Sequence, residues 1–406
     1  MVHETVTLPS LRLARQTTGE AINLHIQTLM HTRGNGWSSP LPAHMDAPGT
    51  LVLAFGAPGY LHDDATLGEL LAAFPNSVIA GCSTSGEIFE GAVRDDSLSV
   101  AVTHFERTRV ARALTALKGP DDSVAAGIRL AAQLDGPDLR AVLVLSDGTR
   151  VNGTPLVEGL SSHLPRGVAI SGGLAGDGDR FDSTWVLDGA QRRSGWVCAV
   201  GLYGSHLRVG LGSGGGWSDF GPERRITRAE GQVLYELDGK PALDLYKDYL
   251  GELAAGLPAT ALRFPLSVRQ EGQSSESLVR TILAVDESAR SLIFAGDIPL
   301  NGTARLMRSN HLQLINSAEE AAAGAIAGAN PGSPAATLVL SVSCVGRRMV
   351  LGEHTDEELE STLHGLAAGS GHVGFYSYGE ISPAGGSQSR LHNQTMTVTA
   401  LSEDAA

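Results

Sequence analysis

Cysteine is scarce: Cys82, Cys198 and Cys344 are the only three in 406 residues, and no two form a CxxC pair. That excludes a disulfide framework and a structural zinc site of the usual spacing. Lysine is rarer than usual as well, with only Lys118, Lys240 and Lys247, so arginine carries nearly all the positive charge. Acidic side chains outnumber basic ones, 44 to 30, and the net charge of −14 argues against a broad nucleic-acid footprint or adsorption to an anionic membrane. No apolar run is long enough to insert into a bilayer, and the opening MVHETVTLPSLRLARQ has no secretory core. These absences point to the cytoplasm. Catalytic signatures are missing too. The thirteen histidines form no HExxH, GSGGGW is not followed by GK[ST] and does not match GxGxxG, and there is no GxSxG elbow. GDGDR sets Asp177 and Asp179 two apart but lacks the other calcium-loop ligands.

What is present is a repeating pattern. With 42% apolar residues, the chain has the composition of a globular protein, and its length calls for two or three domains. TTGEAINLHIQTLM (17–30) predicts a helix: Thr17 and Glu20 have capping-box spacing, and Ile22, Ile26, Leu29 and Met30 share a face. A Gly- and Pro-rich loop follows over 32–49. Then LVLAFG (51–56) reads as a buried strand, ATLGELLAAF as a helix, and SVIAGCSTSGEI as a strand entering a polar corner. The same order recurs with AVLVLSDG, TPLVEGLSSHL and GVAISGGLAGDGD, and again with TLVLSVSC, DEELESTLHGL and HVGFYSYGEI. From Leu51 to Gly86 and from Ala141 to Gly176 the spacing is 35 residues, while GFYSYGEI (374–381) aligns with GCSTSGEI (81–88) without a gap. Repeats of this size suggest duplicated units rather than a thin solenoid. The expected fold is α/β (α+β), with two domains of duplicated strand–helix–strand units layered as sandwiches. The divisions expected are a tail, helix and loop over 1–47, a first domain over 48–220 and a second over 221–404.

Several motifs together, GCSTSGEI, GGLAGDGDRF, GWSDFGPERRITRAEG, YELDGKPALDLYKDYLG, RFPL, SCVGRR, GFYSYGEISP and LHNQTMT, resemble the FIST family from about residue 48 onward. The resemblance implies a FIST N-terminal and a FIST C-terminal domain. It also implies a sensory role in bacterial signalling, with amino acids or other small carboxylates as ligands and a separate partner such as a histidine kinase. Some members resemble haem-binding nitric oxide sensors, which gives a second reading.

The candidate site residues follow the two matching corners. Cys82, Ser83, Thr84, Ser85, Gly86 and Glu87 offer hydroxyls, backbone N–H groups and one carboxylate, although a tight turn that satisfies its own backbone uses the same residues. In the later copy Phe375, Tyr376 and Tyr378 replace the small residues, and Glu380 answers Glu87, so the two bends are expected to wall one cleft between domains. In RLHNQTMTVTAL, read as one strand, alternation puts His392 and Gln394 on a half-buried face where polar groups need partners. Arg347 or Arg348 suits a ligand carboxylate, and Arg263, Arg280, Arg305 and Arg308 add positive charge to the second domain. The expectation is a non-catalytic binding protein with no required cofactor and no metal. For haem, His392, His354, His364 and His372 are the axial candidates. An enzyme reading would rest on Cys82 as nucleophile.

Overall fold

The computed structural model describes residues 24–189, 191–271, 277–332, 334–383 and 388–404. Its first unit contains β1 (Leu24–Thr32), β2 (Gly36–Trp37), β3 (Thr50–Gly56), α1 (Asp64–Ala73), β4 (Val78–Ser83), β5 (Glu87–Phe89), β6 (Ala92–Arg94) and β7 (Ser97–Phe105). The second contains β8 (Arg109–Ala116), α2 (Ser123–Leu134), β9 (Leu139–Ser146), α3 (Gly153–His163), β10 (Ala169–Leu174), β11 (Val186–Leu187), β12 (Arg192–Arg193) and β13 (Trp196–Tyr203). The third opens with β14 (Leu207–Gly214) and is interrupted by an insert. The insert runs through β15 (Ser218–Glu230), β16 (Val233–Leu237), β17 (Lys240–Pro241), α4 (Ala242–Leu250), β18 (Leu266–Arg269), β19 (Leu278–Arg280), β20 (Ile282–Asp286), β21 (Ser291–Phe294) and β22 (Thr303–Arg308). The third unit then resumes with α5 (His311–Ala329), β23 (Leu338–Cys344), α6 (Val345–Leu351), α7 (Thr355–Ser361), β24 (Gly371–Ser377), β25 (Gly379–Pro383), β26 (Ser389–His392) and β27 (Met396–Glu403).

All three units build one sheet plan. Its four core strands run β4-β3-β7-β1, β10-β9-β13-β8 and β24-β23-β27-β14, with the first pair parallel and the other pairings antiparallel. Across the parallel pairs Ala54 faces Gly81, Val144 faces Gly172 and Ser341 faces Gly374. A Cβ at Gly81, Gly172 or Gly374 would lie 1.9, 2.0 or 1.8 Å from the carbonyl oxygen opposite, so the repeated glycine is a steric requirement. These registers make Ser85 the counterpart of Gly176 and Tyr378, one residue out of step with the match of Gly86 to Gly176 that the spacing predicts.

The units exchange strands. The strand after each corner leaves its own sheet and joins the next: β5 pairs with β24, β25 with β10, and β11 with β4. Each is half of a hairpin, completed by β6, β26 and β12. The three sheets therefore enclose one central core, where Phe55, Cys82, Leu143, Cys198, Leu340 and Phe375 pack together. Phe55 and Phe375, from different units, stack with centroids 4.8 Å apart. Helices cover the outer faces: α1 on the first sheet, α2 and α3 on the second, and α5 and α7 on the third. The insert closes around its own core, which includes Ile226, Leu234, Tyr246, Leu266 and Phe294.

The sequence expectation of mixed α/β units in layers matches this architecture, but two local expectations need correction. Residues 24–30 form strand β1, not a helix, and 17–23 lie outside the described residues. β1 pairs with β7 from Leu24–Phe105 to Thr32–Ser97, and that nine-residue ladder overrides the helical spacing. Residues 390–401 are two strands in different sheets, broken where Gln394 adopts φ +60°, so the single alternation fails. The arginines of SCVGRR lie on the short helix α6. No helix among the described residues is long and apolar enough to cross a membrane.

Candidate functional site

The two matching corners do meet. The Ser85 N–H donates to the Tyr376 carbonyl at 2.8 Å, and the Tyr376 N–H donates to the Gly86 carbonyl at 2.9 Å. They meet as adjacent strands, however, and their side chains are bound by the protein itself. Cys82 is fully buried in the central core, and burial pushes its thiol well up, away from a reactive thiolate. Ser83 Oγ accepts the Trp185 N–H at 3.0 Å, and Ser85 Oγ accepts the Gly178 N–H at 3.1 Å.

Glu87 and Glu380 occupy cages of the same pattern, with serine and threonine exchanged. Glu87 accepts the Thr84 hydroxyl, the Ser97 N–H at 3.0 Å and the Ser97 hydroxyl at 2.8 Å. Glu380 accepts the Ser377 hydroxyl at 2.8 Å, the Thr395 N–H at 3.2 Å and the Thr395 hydroxyl at 2.8 Å. Burial pushes the Glu87 carboxyl up to about 7 and the Glu380 carboxyl up to about 8, against hydrogen bonds that pull both down. Burial also draws His372 and His392 down to about 4. The folded glutamates hold their protons after the unfolded chain has lost them, so their contribution to stability fades as pH rises from about 4.5 to about 8. The folded histidines refuse protons the unfolded chain accepts, so theirs fades as pH falls from 6.5 to about 4. Of these four groups, the glutamates are the ones that act between pH 6.5 and 8. The melting temperature is therefore expected to fall between pH 6.5 and 8, and Glu380→Gln to flatten that fall. An unchanged slope in the variant would remove Glu380 as the cause.

Arg347 is likewise committed to the protein. It is fully buried and binds Glu358 through Nε at 2.9 Å and Nη2 at 2.6 Å, with Nη1 on the Gly215 carbonyl at 2.6 Å and Nη2 on that of Leu314 at 2.9 Å. Tyr376 donates its hydroxyl to the same Glu358 at 2.9 Å. Arg348 reaches the Ser85 carbonyl at 2.7 Å and pairs with Asp95. Gln394 Nε2 donates to the Leu262 carbonyl at 3.0 Å, and His392 Nε2 donates to that of Ser382 at 3.1 Å.

Of the candidate ligand-binding residues only Tyr378 lines an apolar cavity of about 610 Å³, where the second unit, the third unit and the insert converge; Asp179 and Cys344, noted above for other reasons, line it too. Its hydroxyl donates to the Asp177 carboxylate and accepts the Asp177 and Phe181 N–H groups at 3.1 and 3.2 Å, fixing the loop over 177–181. Phe181 stacks on the Tyr378 ring at 4.4 Å. Phe181, Leu283 and Met349, at 43, 38 and 37% exposure, give the cavity an apolar rim. Deeper, two polar groups have no partner among the described residues. Asn393 is 1% exposed with neither Oδ1 nor Nδ2 hydrogen-bonded, and Thr281 is 3% exposed with its Oγ1 free. An unpartnered buried polar group costs about 1–3 kcal/mol, so two on one cavity wall are hydrogen-bonding capacity that the protein does not satisfy itself.

Sequence reading missed both. Asn393 sits in the quoted LHNQT, but the single-strand alternation gave the buried face to its neighbours. Thr281 lies between two strands of the insert and carries no motif. Among the described residues no histidine lines the cavity. His372 uses Nδ1 for the Gly91 N–H and Nε2 for Ser341, while His354 and His364 pair with Glu357 and Glu319 at the surface. This donor set does not fit an axially ligated haem.

Comparison with known proteins agrees with the repeated corners. Residues 50–240 match the FIST N domain and residues 242–383 the FIST C domain. Uncharacterized protein MJ1623 of Methanocaldococcus jannaschii is 37% identical over 86 residues, which is 21% of this chain and 16% of that protein. Uncharacterized protein Rv0628c of Mycobacterium tuberculosis is 27% identical over 267 residues, 63% of this chain and 66% of that protein. The chain thus spans about a sixth of the first relative and just under two thirds of the second. With both domain types matched over most of its length, the chain belongs to the FIST family, whose domains are sensory domains for small ligands in signal transduction.

Proposed function

We propose that this protein is a non-catalytic sensor whose ligand occupies the 610 Å³ cavity between the insert and the repeated units. The observation that carries this reading is Asn393, buried and unpartnered on the cavity wall. An amino acid with an apolar or aromatic side chain suits the lining. Its carboxylate takes the Asn393 amide N–H and the Thr281 hydroxyl, its ammonium faces Asp179, and its side chain lies against Phe181, Leu283 and Met349. Because the walls come from three parts of the chain, an occupant that bridges them favours one placement of the insert. A separate signalling protein, such as a histidine kinase, reads that placement.

The test is a thermal-shift screen with free amino acids. Phenylalanine or leucine is expected to raise the melting temperature with concentration, and glycine to do so far less. Asn393→Leu should remove the response while leaving a folded protein, since it replaces an unpartnered amide with a side chain of similar size. An undiminished shift in that variant would place the ligand elsewhere.

A further inference from the structure

A second cavity, of about 540 Å³, lies between helix α3, the insert and strand β26. Arg280 and Arg390 both line it, and neither forms an ion pair among the described residues. Arg280 is 2% exposed. Its Nε donates to the Asp297 carbonyl at 3.1 Å, and its Nη1 to the Val279 and Leu391 carbonyls at 3.3 Å each, while Nη2 has no partner among the described residues. The Asp297 carboxylate, also on the wall, accepts the Asn152 amide at 3.1 Å, and Glu158 is exposed. Thr154 and Ser161 line the same cavity with buried hydroxyl oxygens that have no partner among the described residues. Burial draws the Arg280 guanidinium down to about 10; the Asp297 carboxylate opposes that shift, and the nearby charge of Arg390 adds to it.

The Asp297 carboxylate offsets part of the cost of burying the Arg280 guanidinium, and Arg390 facing the same space adds to that cost. Exposed pairs on this protein show the alternative: Arg224 with Asp238 and Arg129 with Asp122 are matched locally. We infer that this cavity is a binding site for an oxyanion, the carboxylate or phosphate group of a small acid, held by Arg280 and Arg390 with hydroxyl donors from Thr154 and Ser161. The planar guanidinium fork suits two oxygens of one group, and the hydroxyls, free of protein acceptors, complete the shell. The site is separate from the amino-acid cavity. Arg280 and Thr281 are consecutive and line different cavities, as do Leu391 and Asn393, so the two spaces share a wall.

Calorimetric titration of the full chain with inorganic phosphate and, separately, with malonate tests this, at constant ionic strength set with chloride. Saturable binding is expected for at least one, and the stronger of the two tells phosphate from carboxylate. Arg390→Gln, at a half-buried position, should weaken it at least 10-fold. Arg280→Met should abolish it; because the variant also takes donors from the Asp297, Val279 and Leu391 carbonyls, its folding is checked by circular dichroism before titration. Asn393→Leu should leave anion binding intact, which separates this site from the first. No saturable binding to the wild type, or equal binding by wild type and Arg390→Gln, would overturn the inference.

Discussion

Arg347→Ala is expected to lose about 3–5 kcal/mol of folding stability, a large share of what a protein of this kind has in reserve. The guanidinium is fully enclosed and holds five parts of the third unit together: α6 that carries it, Glu358 on α7, the Leu314 carbonyl in α5, the Gly215 carbonyl after β14, and, through Glu358, Tyr376 on β24. Truncation leaves the Glu358 carboxylate buried with only the Tyr376 and Ser343 hydroxyls, and several carbonyls lose their donor. Chemical denaturation measures the loss. Removing both charges, with Arg347→Met and Glu358→Leu together, should recover part of it, because no uncompensated ion then remains. A double variant as unstable as the sum of the single ones would show that the pair is not the cause.

Gly212→Val should be more damaging still, exceeding the roughly 1–3 kcal/mol usual for an overfilled core. Strand β14 presents Gly210, Gly212 and Gly214 to helix α5, and a Cβ at these positions would lie 1.7, 1.8 and 2.1 Å from the carbonyl oxygens of Ala325, Ala321 and Ser317. The helix answers with buried Ala318, Ala321, Ala322, Ala325 and Ala329. Backbone lies directly on backbone here, so no side chain can move aside. Expression in the insoluble fraction is the expected outcome. Ser213→Val, exposed on the opposite face of the same strand, should remain soluble. A soluble Gly212→Val with an unshifted denaturation midpoint would contradict the packing described.

The repeated corners were legible because steric demand leaves a visible mark: Gly81 and Gly374 are forced by a carbonyl two ångströms away, and Glu87 and Glu380 by cages of the same hydroxyl residues. Which sheet each departing strand joins was not legible, since a three-residue strand such as β5 has the same residues whichever edge it pairs with. The polar character of the corners pointed to ligand contacts, whereas their hydroxyls are consumed by internal hydrogen bonds. Tyr378 was found by its contrast with Ser85. Asn393 and Thr281 were not, because a group whose importance is the lack of a partner has no local pattern to betray it.

The hand-over of β5, β11 and β25 also fixes a stoichiometry. A short polypeptide with one such unit would carry a hairpin it cannot use and an open edge it cannot fill. A pair of them would pass the deficit along, and only the third subunit returns it to the first. The single chain keeps that arithmetic: Leu24 pairs beside Phe105, and Glu403 accepts the N–H groups of Glu106 and Arg107, so the beginning and end of the described fold stand next to each other. The units are thus joined twice, by the chain and by backbone hydrogen bonds at three sheet edges.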